Sequence, residues 1–501
     1  MKKLISCIAA FAFLLGIFGF TACGPGGGEQ PPQAVMHTVT FDTDGGTAVA
    51  PVQVEHGKTL TEPEQPQKDG SAFVCWNLGS EEYDFSAPVL GDLVLTAVWQ
   101  DVSGAIASGE PVYEDGGGRM FISLWNEPRP VNATLQEALS VVRDAGFDTY
   151  FKWSYGQYDA EQCAENGLNF MTHVWSTRPQ DYNPLLAPER VSDGLTGFIY
   201  KDEPAYDEID ALGSLARNHV QYYEDRLFFV NLYPTYAESG IFGPHTYEEY
   251  VAHFCETVFG VIGQDRMISV DFYPLYADGR IREDWLACYE VIAKYARQYG
   301  ARFHFYVANT QHGPYRALDA DNLHYMVNVA MTYGGNALGY FTYQNYEDDW
   351  GHGLVEADGV TPTDTYAYAQ QVNTELLAWD HVFLDFSWES TMVLEGEGGG
   401  TNACFSGLQY AAESIDVLQS ASASEDTLIG RFTGKDGEAA LMVTNFSDPE
   451  DGRTDTVSLS FAGAERAVVY VDGVRQVCDA ENGALTLSLA PGRAAFVIPF
   501  R

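Results

Sequence analysis

The sequence predicts a multidomain chain in which a small β module, a (β/α)8 barrel and a C-terminal all-β sandwich follow one another. Three observations carry this. Over 119–378, eight short β-type runs alternate with amphipathic helical stretches, the pattern of a parallel strand set crossed over by helices, and roughly 260 residues is the size at which such a set closes into a barrel. On both sides, at 37–99 and from about Trp379, helical periodicity gives way to short alternating runs divided by Gly and Pro turns. Finally, 501 residues, 46% of them hydrophobic, supply material for several cores.

The chain opens Met1-Lys2-Lys3, runs apolar from Leu4 to Phe20, and continues Thr21-Ala22-Cys23. This reads as a signal peptide over 1–22 with a small-residue exit. The other reading, an uncleaved membrane anchor, requires a longer apolar run to cross a bilayer. Ending the small-residue run on cysteine resembles the lipobox of bacterial lipoproteins, and that resemblance implies that Cys23 receives diacylglycerol. An exported protein, anchored to the cell membrane through Cys23 and facing the cell exterior, is the expectation. Residues 23–36, with Gly24-Pro25-Gly26-Gly27-Gly28 and Pro31-Pro32, cannot bury apolar surface and suit a flexible tether.

Residues 37–100 form the first predicted domain, with β runs at 38–41 and 93–99. Val39-Thr40-Phe41-Asp42, Gly45-Gly46, Val54-Glu55-His56-Gly57, Phe73-Val74-Cys75-Trp76, Tyr83-Asp84-Phe85 and Ala97-Val98-Trp99 resemble the Listeria-Bacteroides repeat of internalin B type. Cys75 stands where that repeat usually has glycine. The resemblance implies a spacer or adhesive module without chemistry of its own.

The barrel is expected over 112–380. Its strand candidates are 120–125, 148–153, 168–174, 196–201, 226–231, 266–271, 301–308 and 336–342, with helical patterns at 134–145, 207–223, 247–261, 283–299 and 321–333. Residues 381–501 read as the sandwich, with strands at 428–433, 439–445, 456–461, 467–471 and 494–499 and turns at Asp472-Gly473 and Pro491-Gly492. Met442-Val443-Thr444-Asn445-Phe446-Ser447 and Leu489-Ala490-Pro491-Gly492 loosely resemble the β domain that follows many glycosidase barrels.

Composition narrows the chemistry. The formal net charge of −43, spread along the chain, repels phosphate backbones and makes nucleic acid an unsuitable partner. Cys75, Cys163, Cys255, Cys288, Cys404 and Cys478 show no CxxC pair and no metal-ligand spacing, so neither a metal site, nor a cofactor, nor a disulfide framework is expected.

Reactive groups of a (β/α)8 barrel belong at the C-terminal ends of its strands. In strand order these ends carry Trp125-Asn126-Glu127, Trp153, His173 with Trp175, Asp202-Glu203-Pro204, Asn231-Leu232-Tyr233, Asp271-Phe272-Tyr273, Asn309-Thr310-Gln311-His312 and Tyr343-Gln344-Asn345. Aromatics, amides and carboxylates without a nucleophilic Ser/His pair or a phosphate-cradling glycine loop suit a polyhydroxylated ligand. Trp125, Trp153, Tyr233, Tyr273, Tyr343 and Trp350 are candidate stacking platforms, and His173, Asn231 and Gln311 candidate hydroxyl partners; mouth packing is the bland alternative for each.

Gly197-Phe198-Ile199-Tyr200-Lys201-Asp202-Glu203-Pro204 resembles the end of strand four in clan A glycoside hydrolases, family 42 galactosidases among them, where Asn-Glu-Pro is common and the Glu is the acid/base. The resemblance implies that Glu203 is catalytic. Asp202 replaces the Asn: a neighbouring carboxylate raises the pKa of Glu203, as an acid requires, but cannot donate an amide hydrogen bond. Alternatively, Asp202 caps the helix beginning near Pro204 and Glu203 is a surface group. Asn126-Glu127-Pro128 carries the same tripeptide but follows strand one, which argues for a loop role. In clan A the second carboxylate ends strand seven, and 303–311 holds no acid there. Among the remaining acids near the mouth, Asp271, Glu347, Asp348 and Asp349, the strand-end position favours Asp271 as base or nucleophile. The expectation is a surface-anchored glycoside hydrolase acting on extracellular oligo- or polysaccharide; the alternatives are a degenerate barrel that binds glycan without cutting it, and an adhesin whose barrel is scaffold.

Overall fold

A computed structural model of the chain describes residues 35–68, 70–101, 104–113, 118–238, 240–345, 350–397 and 402–501. The predicted signal peptide, Cys23, nearly all of the tether, and Glu347, Asp348 and Asp349 lie outside them. Among the described residues, no helix is long and apolar enough to cross a membrane.

In the N-terminal module, β1 (Met36–Asp42), β2 (Val52–Glu55), β3 (Ser71–Leu78), β4 (Glu81–Glu82) and β5 (Leu93–Asp101) make a mixed sheet in the order β2-β1-β5-β3-β4. Strand β1 pairs antiparallel with β2 and parallel with β5. Alternation sends Val39 and Leu95 to the buried face, and Trp76 packs edge-on to Phe41 at 4.9 Å. Cys75 sits within β3, so the departure from the repeat pattern falls inside a strand and not in a turn.

The eight expected strands close a parallel barrel: β6 (Phe121–Leu124), β7 (Thr149–Lys152), β8 (Asn169–His173), β9 (Leu195–Asp202), β10 (Leu227–Leu232), β11 (Met267–Val270), β12 (Arg302–Ala308) and β13 (Gly335–Phe341). Helices start and stop where local chemistry allows. Thr134 and Glu137 form a capping box for Leu135–Asp144, as Thr246 and Glu249 do for Tyr247–Phe254. Gly300, at φ 59°, closes Trp285–Tyr299 in the left-handed conformation that favours glycine. The helix expected over 247–261 breaks after Phe254 into a π-turn, Cys255–Phe259.

Period-two alternation on the strands makes two cores. Phe151, Met171, Ile199, Phe229, Met267 and Tyr306 fill the barrel, while their neighbours Tyr150, Phe170, Phe198, Phe228, Ile268 and Phe305 face the helices.

The C-terminal part is a sandwich of a six-stranded sheet, β14 (Phe386–Leu394), β16 (Thr427–Gly434), β17 (Ala439–Asn445), β22 (Ala494–Phe500), β19 (Arg466–Val471) and β20 (Val474–Asp479), on a three-stranded one, β15 (Leu418–Ala423), β18 (Asp455–Phe461) and β21 (Ala484–Leu489). Two details differ from the sequence reading. Helix does not stop at Trp379, since Asp380–Phe383 adds one more turn. The sandwich also recruits chain from before the barrel: Ala105 O accepts from Ala439 N at 2.8 Å, Ala107 bridges Phe500, and Ile106 enters the sandwich core. Ile106 is apolar, and the N–H of Ala439 lies beyond the last β17–β22 pair, Leu441 with Val497, where Ala105 O satisfies it.

Barrel and sandwich are tied by a buried ion pair in which Arg316 donates to both oxygens of Asp448 at 2.9 and 2.7 Å, and by Tyr325, whose hydroxyl donates to Phe446 O at 3.1 Å.

Candidate active site

The site begins with an irregularity in β9. Residues of β9 and β10 pair in step as far as Ile199 with Phe229, then Val230 meets Lys201 and Asn231 meets Asp202. One extra residue, a β-bulge at Tyr200, has been inserted. Gly197 and Ile199 face the interior, so regular alternation would send Lys201 inward next; the bulge sends Asp202 instead. Glu203 follows at φ 49°, left-handed for a side-chain-bearing residue, with its N–H donating to Asn231 O at 2.8 Å. A non-glycine residue there stores roughly 1 kcal/mol of strain, the kind of cost found where a side chain is aimed for use.

Asp202 and Glu203 share a cleft of about 250 Å³ with Asp271 from the end of β11. Trp125, Tyr273, Tyr306, Phe341 and Trp350 wall it, and His312 joins them. Asp202 is open to the cleft and Glu203 and Asp271 are half-buried, but each lies at the bottom of a concavity with protein packed closely round it. The confined water solvates charge poorly. Burial, followed by the neighbouring charge of Asp202, therefore lifts Glu203 to about 7. Burial likewise raises Asp202, opposed by its hydrogen bond from Asn231 and by the charge of Lys201. Asp271 is pushed well above the usual carboxylate range by burial and by the charges of Glu203 and Asp202. Neighbouring negative charge thus adds to burial at Glu203 and Asp271, and both are displaced toward the protonated form.

Asn231 holds two of them. Its Nδ2 donates to Asp202 Oδ1 at 3.2 Å and to Asp271 Oδ1 at 2.9 Å. The amide hydrogen bond that Asp202 cannot give is thus supplied from the next strand. Both neighbours are acceptors, so the amide nitrogen faces them and Oδ1 faces Ser269, which donates to it at 2.8 Å. Having given its one proton, Ser269 must accept from His304 Nδ1, 2.8 Å away. His304 is neutral, driven down to about 3 by burial and then by the charge of Arg302; with Nδ1 protonated, its Nε2 accepts from Ser123, 3.1 Å away. His304, Ser269 and Asn231 thus form a hydrogen-bonded chain that ends on two carboxylates, and Ser123 at its far end shares its proton between His304 and Leu338 O, 3.2 Å away.

The sequence expectations separate on this geometry. Glu203, Asp202, Asp271, Asn231, Trp125, Tyr273 and Trp350 meet in the cleft. Burial raises the phenol of Tyr233, and the nearby charges of Glu203 and Asp202 add to it. Trp153 and His173 are outside the cleft lining, with Trp153 lying 5.8 Å from Trp125 and 5.1 Å from His173. Asn231 lines the cleft with its Nδ2 hydrogens turned to Asp202 and Asp271 and its Oδ1 accepting from Ser269. Tyr343 is buried away from the cleft with its hydroxyl donating to Gly359 O at 2.9 Å, and Gln311 is an exposed residue outside the cleft lining. Asp202 does not cap a helix: it is the last residue of β9, and Glu208 accepts from Ala205 N at the helical turn beyond. Glu127 is a loop residue, accepting from Arg129 at 3.0 Å and from Trp153 N at 3.0 Å.

Sequence reading missed Tyr306 and Phe341 as lining residues. Both follow from alternation, since His304, Tyr306 and Ala308 share the inner face of β12, and Ala337, Gly339 and Phe341 that of β13. Among the described residues, the His and carboxylate group close enough to share a cation is His324, Glu375 and Asp472, away from the cleft. There Arg493 already donates to Glu375 at 3.5 Å and Asp472 at 2.9 Å, so a resident guanidinium supplies the positive charge.

The fold and site define a multidomain protein with a carboxylate-bearing cleft at the mouth of a (β/α)8 barrel. Residues 37–98 match the Listeria-Bacteroides repeat domain. Two proteins of Evansella cellulosilytica are similar over part of their length. One, "Putative Gly-rich membrane protein", is 33% identical over 105 residues, 19% of this chain and 12% of that protein. The other, "Putative membrane protein", is 38% identical over 147 residues, 25% of this chain and 22% of that protein. The chain therefore spans well under two thirds of either relative. Among solved structures, a GH30 endoxylanase from Clostridium papyrosolvens C71 is 11% identical with a TM-score of 0.41, over 79% of this chain and 99% of that one. An endo-β-1,4-mannanase from Thermotoga petrophila is 8% identical with a TM-score of 0.37, over 74% and 97%.

Proposed function

We propose that the barrel hydrolyses O-glycosidic bonds of an extracellular oligo- or polysaccharide, with Glu203 as proton donor and Asp271 as base or nucleophile. The observation that carries this reading is the convergence of Glu203 and Asp271 in one aromatic-walled cleft that raises both pKa values. Glycoside hydrolysis requires one carboxyl group that is protonated near neutral pH and one that is charged. Glu203 and Asp271 meet that requirement together: a proton on Glu203 removes the largest neighbouring charge acting on Asp271, and the N–H of Asn231 then favours the charged form of Asp271. The left-handed turn at Glu203 supports its assignment as the donor to the leaving oxygen. Asp202 keeps the local potential negative, which favours the proton on Glu203. Trp125, Tyr273 and Trp350 offer apolar faces for sugar rings.

Export and anchoring through Cys23 belong to the same proposal, supported by the apolar run before Cys23 and by the names of the two relatives. Labelled palmitate incorporated into the wild type but not into Cys23→Ala is the expected result.

Release of new reducing ends from plant and bacterial polysaccharides tests the hydrolytic reading. Wild type is expected to release them, and Glu203→Gln to release none at unchanged fold. The strand-seven end, Ala308-Asn309-Thr310, bears no acid and favours the rival reading of a glycan-binding barrel. Tight binding with no product from wild type would decide for that rival.

A further inference from the structure

We propose that the hydroxyl of Tyr306 is a substrate-contacting donor at the floor of the cleft, holding an oxygen of the sugar that Glu203 and Asp271 address. The proposal rests on the reading of the cleft as a glycan site.

Tyr306 is fixed as few side chains are. It projects inward from β12, is 2% exposed, and stands edge-on to Trp125 at 5.7 Å and to His304 at 4.8 Å. Its ring lies over Gly339: a Cβ at that position would fall 2.5 Å from the ring, so glycine is what makes room for it. The hydroxyl of this clamped ring has no hydrogen-bond partner among the described residues, yet the residue lines the same cleft as Asp202, Glu203 and Asp271.

Other buried tyrosines of the barrel show what folding alone does with such a group. Tyr223 donates to Leu186 O at 2.6 Å, Tyr250 to Pro204 O at 2.8 Å, Tyr340 to Asn373 at 2.8 Å, and Tyr343 to Gly359 O at 2.9 Å. A buried hydroxyl without an acceptor is a net cost to the folded state. Phenylalanine would fill the same volume without it. Local rules broken without structural gain are expected at functional sites.

The chemistry indicates what the acceptor is. Burial and the charges of Asp202 and Asp271 hold the phenol far above its ordinary value, so Tyr306 stays protonated and acts as a donor. A neutral, oxygen-rich ligand such as a pyranose supplies hydroxyl and ring oxygens as acceptors in a cleft whose charged groups repel anions.

The test is Tyr306→Phe in the full chain. Isothermal titration and initial rates are measured with cello-, xylo-, manno- and galacto-hexaoses as probes, beside the thermal midpoint without ligand. Affinity and kcat/KM are expected to fall about 10- to 100-fold on the sugar that wild type prefers, with the ligand-free midpoint unchanged or higher. A monodeoxy analogue of that sugar is expected to lose a similar factor against wild type and little against Tyr306→Phe. Unchanged affinity and kcat/KM in the variant would overturn the proposal alone. A lowered ligand-free midpoint with a matching loss of binding would overturn it in favour of a structural hydroxyl. Wild type that binds sugar but never cleaves it leaves the affinity comparison intact while refuting hydrolysis; wild type that binds no probe overturns both.

Discussion

Replacing Glu203 by Gln is expected to stabilise the protein at pH 8 while removing its proton donor. The carboxyl group stands at about 7 in the folded chain against 4.5 in the open one. Between those values the folded state binds more protons than the unfolded state, so stability falls as pH rises through the window and levels off above it. At full strength the displacement corresponds to roughly 3 kcal/mol; solvent reaching the half-buried side chain reduces this to about 1–2 kcal/mol. Gln keeps the shape and discards the charge, so the variant is relieved of that cost. Asp271 also loses the largest neighbouring charge acting on it. Differential scanning fluorimetry at pH 8 is expected to show the variant melting about 2–4 °C higher, with the gap shrinking below pH 7 and nearly gone at pH 4.5. A variant less stable than wild type at pH 8, or a gap independent of pH, would refute the claim that the cleft destabilises this charge.

Asn231→Leu removes both N–H donors from Asp202 and Asp271, and is expected to cost about 2–4 kcal/mol at pH 8 and less at pH 5, where protonated carboxyls need fewer donors; urea unfolding at the two pH values checks this. Gly339→Ala places a Cβ against Tyr306 and His304 at 2.5 and 2.9 Å and is expected to lower stability by about 1–3 kcal/mol and activity with it, read by thermal unfolding and initial rates.

How far the sequence reaches depends on whether a feature is local. The eight barrel strands are legible because each is a short run with its own period and each helix carries its own cap, Thr134 and Thr246 among them. The placement of Glu203 and Asp271 at the barrel mouth is legible because a strand end is a local position. The bulge at Tyr200 is not: residue spacing alone places Lys201 inward, and only the pairing of β9 with β10 reverses this. Asn231 reads as a sugar ligand because an amide at a strand end commonly is one; its bonds to Asp202, Asp271 and Ser269 come from two neighbouring strands, and the hydrogen-bonded chain behind it runs on to Ser123. Where Tyr343 and Gln311 point is not legible either, since loop geometry after a strand decides whether a side chain turns into the cleft, into the core or out to solvent. The entry of Ile106 into a sandwich core more than 270 residues downstream has no local signal either.

Whether the cleft cuts glycans through Glu203 is decided by incubating wild type and Glu203→Gln with the same polysaccharide panel and resolving the products by chromatography. Shortened oligosaccharides are expected from wild type and none from the variant, with both proteins folded and equally able to bind. Equal product from the two proteins would contradict that role of Glu203.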